Sequence, residues 1–256
     1  MGGSEHATGH LLYSRFWQMF LFDLGLVPTE IYAKKLINQG MILGDSALVN
    51  RKIETGEYIS AELAENHRVQ KLNVDVSIVN SNNELDIDQF KAWQPEFKNA
   101  EFIMNKVFKV DREVQKMSKS KFNVVNPDDI CDNYGADTLR LYEMFLGPIE
   151  QSKPWNTNGI SGVYNFLNKV WRLFFNDNKL VISESEPDKE SLKTLHGTIK
   201  KINEDIESFS FNTCVSALMI LVNKLNETKC HSRIVLKDLI ILLSPFAPHI
   251  SEELWN

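Results

Sequence analysis

Cysteine is scarce in this 256-residue chain. Cys131, Cys214 and Cys230 lie far apart, are odd in number and form no CxxC pair. That spacing suggests neither a disulfide framework nor a zinc knuckle, and a reducing cytoplasm is the simplest setting. Long apolar runs are missing too. No stretch of about 18 apolar residues occurs, so neither a membrane span nor a membrane partner is expected. The most apolar early stretch, residues 11–27, is broken by Arg15, Gln18 and Asp23, and no basic region precedes a cleavable apolar segment. Positive charge is not in excess. A formal net charge of -6 argues against a surface coated for nucleic acid, but it leaves room for a local basic patch. Lys106, Lys109, Arg112, Lys116, Lys119 and Lys121 provide one. The hydrophobic 43% and charged 24% are those of a soluble globular protein.

Within that patch lies Lys116-Met117-Ser118-Lys119-Ser120, continued by Lys121-Phe122-Asn123-Val124-Val125-Asn126-Pro127. Neither the two-residue period of a strand nor a helical apolar stripe fits it, so an exposed basic loop is expected. Asn126 would cap the next helix, Pro127 would open it, and Asp128 and Asp129 would complement the positive end of its dipole. Lys116 and Lys119 are point-charge donors suited to phosphate oxygens, and Ser118 and Ser120 can add neutral hydrogen bonds. Such a loop can close over a triphosphate and neutralise charge developing as pyrophosphate leaves. An isolated KxxK is more often a solvated turn.

At the start, Gly2-Gly3-Ser4-Glu5 precedes a helix expected to run from Ser4 or Glu5 to about Leu24. Leu12, Phe16, Met19, Phe20 and Phe22 supply its apolar face, and Gly25 its stop. A glycine turn feeding a helix suits a nucleotide ribose or phosphate, with Glu5 as an acceptor for ribose hydroxyls. His6 and His10 share a helix face, but no third ligand stands at a telling spacing, so no metal site is expected. Gln39-Gly40 reads as a helix C-cap closing Ala33-Lys34-Lys35-Leu36-Ile37. Residues 45–105 read as a small β-rich insertion with one or two hairpins and a short helix, its strands including Val74–Val79 and its turn Asn80–Asn83. Phe102–Val110 reads as an edge strand feeding the loop. Ala136–Leu146 reads as a helix with Leu139, Tyr142, Met144 and Phe145 buried and an Asp137–Arg140 pair outside. From Trp155 the spacing is purely helical. Four helices are expected, carrying Ile160 to Phe174, Leu192 to Phe209, Val215 to Leu225 and Ile234 to Leu243, with a last helix opening at Ser251. His249 reads as a packing residue at a turn.

The lysine loop and its Asn-Val-Val-Asn-Pro-Asp continuation are similar to the KMSKS signature of class I aminoacyl-tRNA synthetases. Gly2-Gly3-Ser4-Glu5-His6-Ala7-Thr8-Gly9-His10 through Trp17 resembles a catalytic-domain segment of the leucyl-tRNA synthetases, and Asn38–Gly44 the segment that follows it there. Ser244–Trp255 resembles the anticodon-binding bundle of the leucyl, isoleucyl, valyl and methionyl group. His6 to His10 is one residue longer than the His-x-Gly-His signature and sits on the wrong side of the glycine turn, so it is not that motif.

The resemblance implies an α/β part followed by an all-α part. Residues 1–44 would be the rear of a Rossmann-type domain, 45–105 the insertion, 106–154 the KMSKS loop with connecting helices, and 155–256 an incomplete antiparallel helical bundle. It further implies activation of L-leucine with ATP and Mg2+, and transfer of leucyl to tRNA(Leu) by a monomer. Lys116, Ser118, Lys119 and Ser120 would be catalytic. Lys116, Met117 and Lys119 would meet ATP, Gly2, Gly3, Glu5 and His6 its adenosine, and Gln39 the same nucleotide. With no His-x-Gly-His present, the chain reads as an excised fragment expected to be inactive alone. Rival readings are a non-catalytic tRNA-binding module and another synthetase of the same group.

Overall fold

The computed structural model describes residues 7–177 and 179–256. The chain divides into two compact units, Ile42–Val125 and the remainder up to Met41 together with Asn126–Asn256.

The Ile42–Val125 unit is built on one long strand, β1 (Ile42–Lys52), whose residues 46–50 are all buried. Its second half pairs antiparallel with β3 (Val69–Val74), from Ala47 opposite Val74 to Lys52 opposite Val69. Its first half pairs antiparallel with β5 (Asp111–Lys116), from Leu43 opposite Lys116 to Leu48 opposite Asp111. The short β2 (Tyr58–Ile59) adds to Asn50–Arg51 and carries β4 (Phe102–Ile103) in parallel. One sheet face is covered by α2 (Ile87–Trp93) and a cluster of Tyr58, Phe90, Phe97, Phe108, Val49 and Val110. Phe90 and Phe97 stack at 4.4 Å, a ring pairing that adds to the area it buries.

A β-rich segment with a short helix was expected over residues 45–105; the compact unit runs from Ile42 to Val125 and takes in the lysine loop, and two of the expected strands differ. Only Val74 of Val74–Val79 is strand. Asp75 accepts from the Ser77 N–H at 2.9 Å and from its hydroxyl at 2.7 Å, which winds the chain into a 3-10 turn. Phe102–Val110 is strand only at Phe102–Ile103. Phe108 and Val110 are buried as the alternation requires, yet the ladder resumes at Asp111. The Asn80–Asn83 turn forms as expected. Asn80 Oδ1 accepts from the N–H groups of Asn82 and Glu84, and Asn83 takes φ 61°.

In the other unit, α1 (Leu12–Asp23) follows a π-helical turn at Ala7–Leu11 and stops at Gly25, φ 70°. The Leu26 N–H returns to the Leu21 carbonyl at 2.9 Å, satisfying the helix end. None of the residues of α1 is buried. Ala33–Ile37 is not helical, and Gly40 closes no helix. Gly40 instead donates to the Ile149 carbonyl at 2.7 Å, and a Cβ there would lie 2.0 Å from the Gln151 carbonyl oxygen. A close approach of two backbones, not a C-cap, is what requires glycine.

Asn126 caps α3 (Pro127–Tyr134) by accepting from the Asp128 N–H, with Pro127 first in the helix, as expected. Gly135 (φ 86°) turns the chain into α4 (Ala136–Phe145). The buried face of α4 is Asp137, Thr138, Leu141 and Tyr142; of the residues expected there, only Tyr142 is fully buried. Asp137 does not pair with Arg140, which donates to the Pro245 carbonyl instead.

The bundle follows: α5 (Thr157–Phe174), α6 (Lys189–Glu207), α7 (Phe211–Glu227), α8 (Arg233–Leu243) and α9 (Pro248–Trp255). Val215, Leu218, Leu221, Val222 and Leu225 of α7 are completely buried and form its centre. Trp171, Ile206, Phe209 and Ile234, which share the helical spacing, are exposed. On α6 the buried place near the end goes to Asp205, which accepts from Lys201 Nζ and Thr213 Oγ1. The last helix opens at Pro248 rather than Ser251, because Asp137 reaches across to take its first N–H groups.

Candidate active-site loop

β5 delivers the chain to Lys116, still paired with Leu43 of β1. Ser118 is extended (φ -155°, ψ 151°), and Lys119–Lys121 form one 3-10 turn in which the Lys121 N–H donates to the Ser118 carbonyl. Phe122 ends the turn in the left-handed region, φ 51° and ψ 34°. A bulky side chain rarely adopts that conformation, and it persists only where surroundings hold it. Here the Phe122 ring packs edge-on to Trp93 at 4.6 Å, and the Phe122 carbonyl accepts from the Val76 N–H at 3.2 Å.

The next residue closes the loop on itself. Asn123 is buried, and its Oδ1 accepts from the Ser118 N–H at 3.0 Å. Its Nδ2 donates to Ser46 Oγ of β1 at 2.8 Å and to the Lys116 carbonyl at 3.4 Å. Those partners dictate which way the amide faces. Reversed, its NH2 would meet an N–H and its oxygen a carbonyl. Ser46 is itself fully buried and directs its hydroxyl at Gln115 Oε1. Gly44 leaves the room for this arrangement. A Cβ there would stand 2.5 Å from the Asn123 carbonyl oxygen and 2.9 Å from its side chain.

On this framework Lys116, Lys119 and Ser120 are exposed, and Met117 and Ser118 half-buried. The Ser118 and Ser120 hydroxyls lie 3.1 Å apart. Among the described residues, Lys119 makes no ion pair, whereas two other members of the basic patch are already neutralised: Lys109 by Glu84 at 3.0 Å and Arg112 by Asp45 at 3.4 Å. The structure therefore brings Lys116, Met117, Ser118, Lys119 and Ser120 into one short cationic turn. Gln39 is exposed in an irregular stretch of the other unit. Gly2, Gly3, Glu5 and His6 lie outside the described residues. Asn123, Ser46 and Gly44 were given no role from sequence; the only local sign was an Asn three residues past the motif.

Parts of this chain are similar to known proteins. Residues 93–153, which contain the loop, match the family described as tRNA synthetases class I (I, L, M and V), and residues 188–256 match the anticodon-binding domain of tRNA ligase. The chain belongs to the class I tRNA synthetase family. Over its whole length it aligns with leucine-tRNA ligases: 62% identity with that of Flavobacterium johnsoniae and 61% with that of Flavobacterium psychrophilum. The chain spans 27% of the length of those relatives. The ternary LeuRS-tRNA-LeuAMS complex of Agrobacterium radiobacter K84 superposes with a TM-score of 0.61 at 28% identity, covering 99% of this chain and 26% of that one.

Proposed function

We propose that this chain supplies the lysine loop and the anticodon-side helices of a leucine-tRNA ligase. That activity joins L-leucine to ATP as leucyl-adenylate, releases pyrophosphate, and passes leucyl to tRNA(Leu). The observation that carries the reading is the exposed Lys116 and Lys119 on a backbone held by buried Asn123, within sequence 62% identical to a leucine-tRNA ligase.

In this reading Lys116 and Lys119 lie against the β- and γ-phosphates, and Ser118 and Ser120 donate to neighbouring oxygens. Attack of the leucine carboxylate on the α-phosphorus breaks the bond to the pyrophosphate oxygen, and the ammonium groups stabilise the charge that gathers there. Gly2, Gly3, Glu5 and His6 hold the adenosine, with Gln39 beside it. Among the described residues no three acidic, His or Cys side chains gather into a metal cage. Magnesium would arrive with ATP, and when bound with it would add to the positive charge of the loop. The tRNA partner is suggested by the anticodon-binding match at 188–256 and by the tRNA in the Agrobacterium complex. Three free thiols suit a reducing cytoplasm.

The test is Lys119→Ala in a ligase of the relatives' length that carries this segment. Leucine-dependent ATP–pyrophosphate exchange should fall by about a hundredfold or more, as for loss of one preorganised charge at a leaving group. Affinity for tRNA should change by less than about threefold, the loss of at most one phosphate contact. Equal losses in both would instead favour a loop that serves RNA binding.

A further inference from the structure

We infer that Asn123 is a positioning residue for the reaction. It is a buried amide latch that sets where Lys116 and Lys119 stand, although it touches no substrate itself. The inference deepens the ligase reading and rests on it.

Three observations carry it. First, the Asn123 side chain bonds both limbs of the lysine turn, the Lys116 carbonyl before it and the Ser118 N–H within it. A turn held at two backbone points has far fewer conformations than one held by the Lys119–Lys121 hydrogen bonds alone. Second, the latch is anchored in the sheet through Ser46, 77 residues away in sequence, and Ser46 lies at the centre of the β1–β5 ladder. Third, the fold gives up a side chain to make room for it. Gly44 stands in β1, where glycine weakens a strand, and any Cβ there would displace Asn123.

The flanking Phe122 serves the same end. Its left-handed backbone ends the turn just ahead of Asn123, and Trp93 and Val76 contact it from the β-rich segment. Loop and segment are thus one mechanical piece. Asn123 has two functional partners on the loop and one on the sheet, so its removal frees the lysines without altering their charge. A positively charged group accelerates the reaction only if it already stands where charge develops.

The experiment compares the unsubstituted protein with Asn123→Ala, Gly44→Ala and Ser46→Ala, each in a ligase of the relatives' length carrying this segment. Hydrogen–deuterium exchange of the peptide spanning 116–122 and leucine-dependent ATP–pyrophosphate exchange are both measured. Asn123→Ala should speed amide exchange of that peptide about tenfold or more and lower kcat by a similar factor, with KM for leucine within about twofold. Gly44→Ala should act in the same direction by displacing the amide it leaves intact. Unchanged exchange in Asn123→Ala overturns the inference, as does a loss confined to the KM for leucine. If Asn123→Ala does not fold, Ser46→Ala decides. It removes one Asn123 acceptor and should speed exchange about threefold, the effect of a single neutral hydrogen bond, and no change overturns the latch. Absence of leucine-dependent activity in the unsubstituted protein would sink the ligase reading instead, while the deuterium result would still judge the latch.

Discussion

Replacing Asp137 tests how the last helix is held to the second helix after the lysine loop. The Asp137 side chain is buried on α4. It accepts from the Ile250 N–H at 2.7 Å, from the His249 N–H at 3.3 Å, and faces His249 Nδ1 at 2.8 Å. Both N–H groups belong to the first turn of α9, where no intrahelical partner exists. A carboxylate there satisfies them and meets the positive end of the helix dipole, and hydrogen bonds to a charged group are each worth about 1.5–3 kcal/mol. These bonds share one carboxylate and do not add, so Asp137→Ala should cost about 3 kcal/mol in all. For a body of 150–250 residues that is a fall of roughly 6–12 °C in Tm, followed by far-UV circular dichroism. His249→Ala removes only the ring contact, and the His249 side chain is 74% exposed. It should cost under about 1 kcal/mol, as exposed polar contacts do. If His249→Ala matched Asp137→Ala, the stabilisation would lie in the ring contact and the capping explanation would be refuted.

Further outcomes follow from other groups. Burial pushes the Asp205 carboxyl up, but hydrogen bonds from Lys201 at 2.7 Å and Thr213 at 2.6 Å, with the Lys201 charge, hold it below its ordinary value. A depressed carboxyl stabilises above its unfolded pKa, near 4, and loses that contribution as pH falls through the folded value. Urea midpoints should therefore drop as pH falls below about 4, and Asp205→Asn should flatten that drop; an unchanged slope would count against the network. Burial, with the Asp205 charge added, pushes the Cys214 thiol up to about 11. At pH 8 a thiol reagent should label the half-buried Cys131 first and leave Cys214 intact until the bundle opens, which peptide mapping would read.

Much of this protein was legible one residue at a time. The Asn126-Pro127 helix start, the Gly25 stop, the Asn80–Asn83 turn and the five bundle helices came from local chemistry, since caps, turns and apolar spacing act within a few residues. The cationic turn at Lys116–Ser120 was likewise visible, because its charge excludes it from any core. Tertiary structure decided the rest. The apolar spacing of α8 includes Ile234, yet its neighbours cover Val235 and leave Ile234 in water. Gly40 looked like a helix cap until a backbone more than a hundred residues later turned out to occupy the space of its missing side chain. The start of α9 and the fixing of the lysine turn depend on polar bonds spanning 113 and 77 residues. A buried amide or carboxylate has no periodicity to betray it. Its role exists only once folding removes water and leaves a distant partner as the one group able to satisfy it.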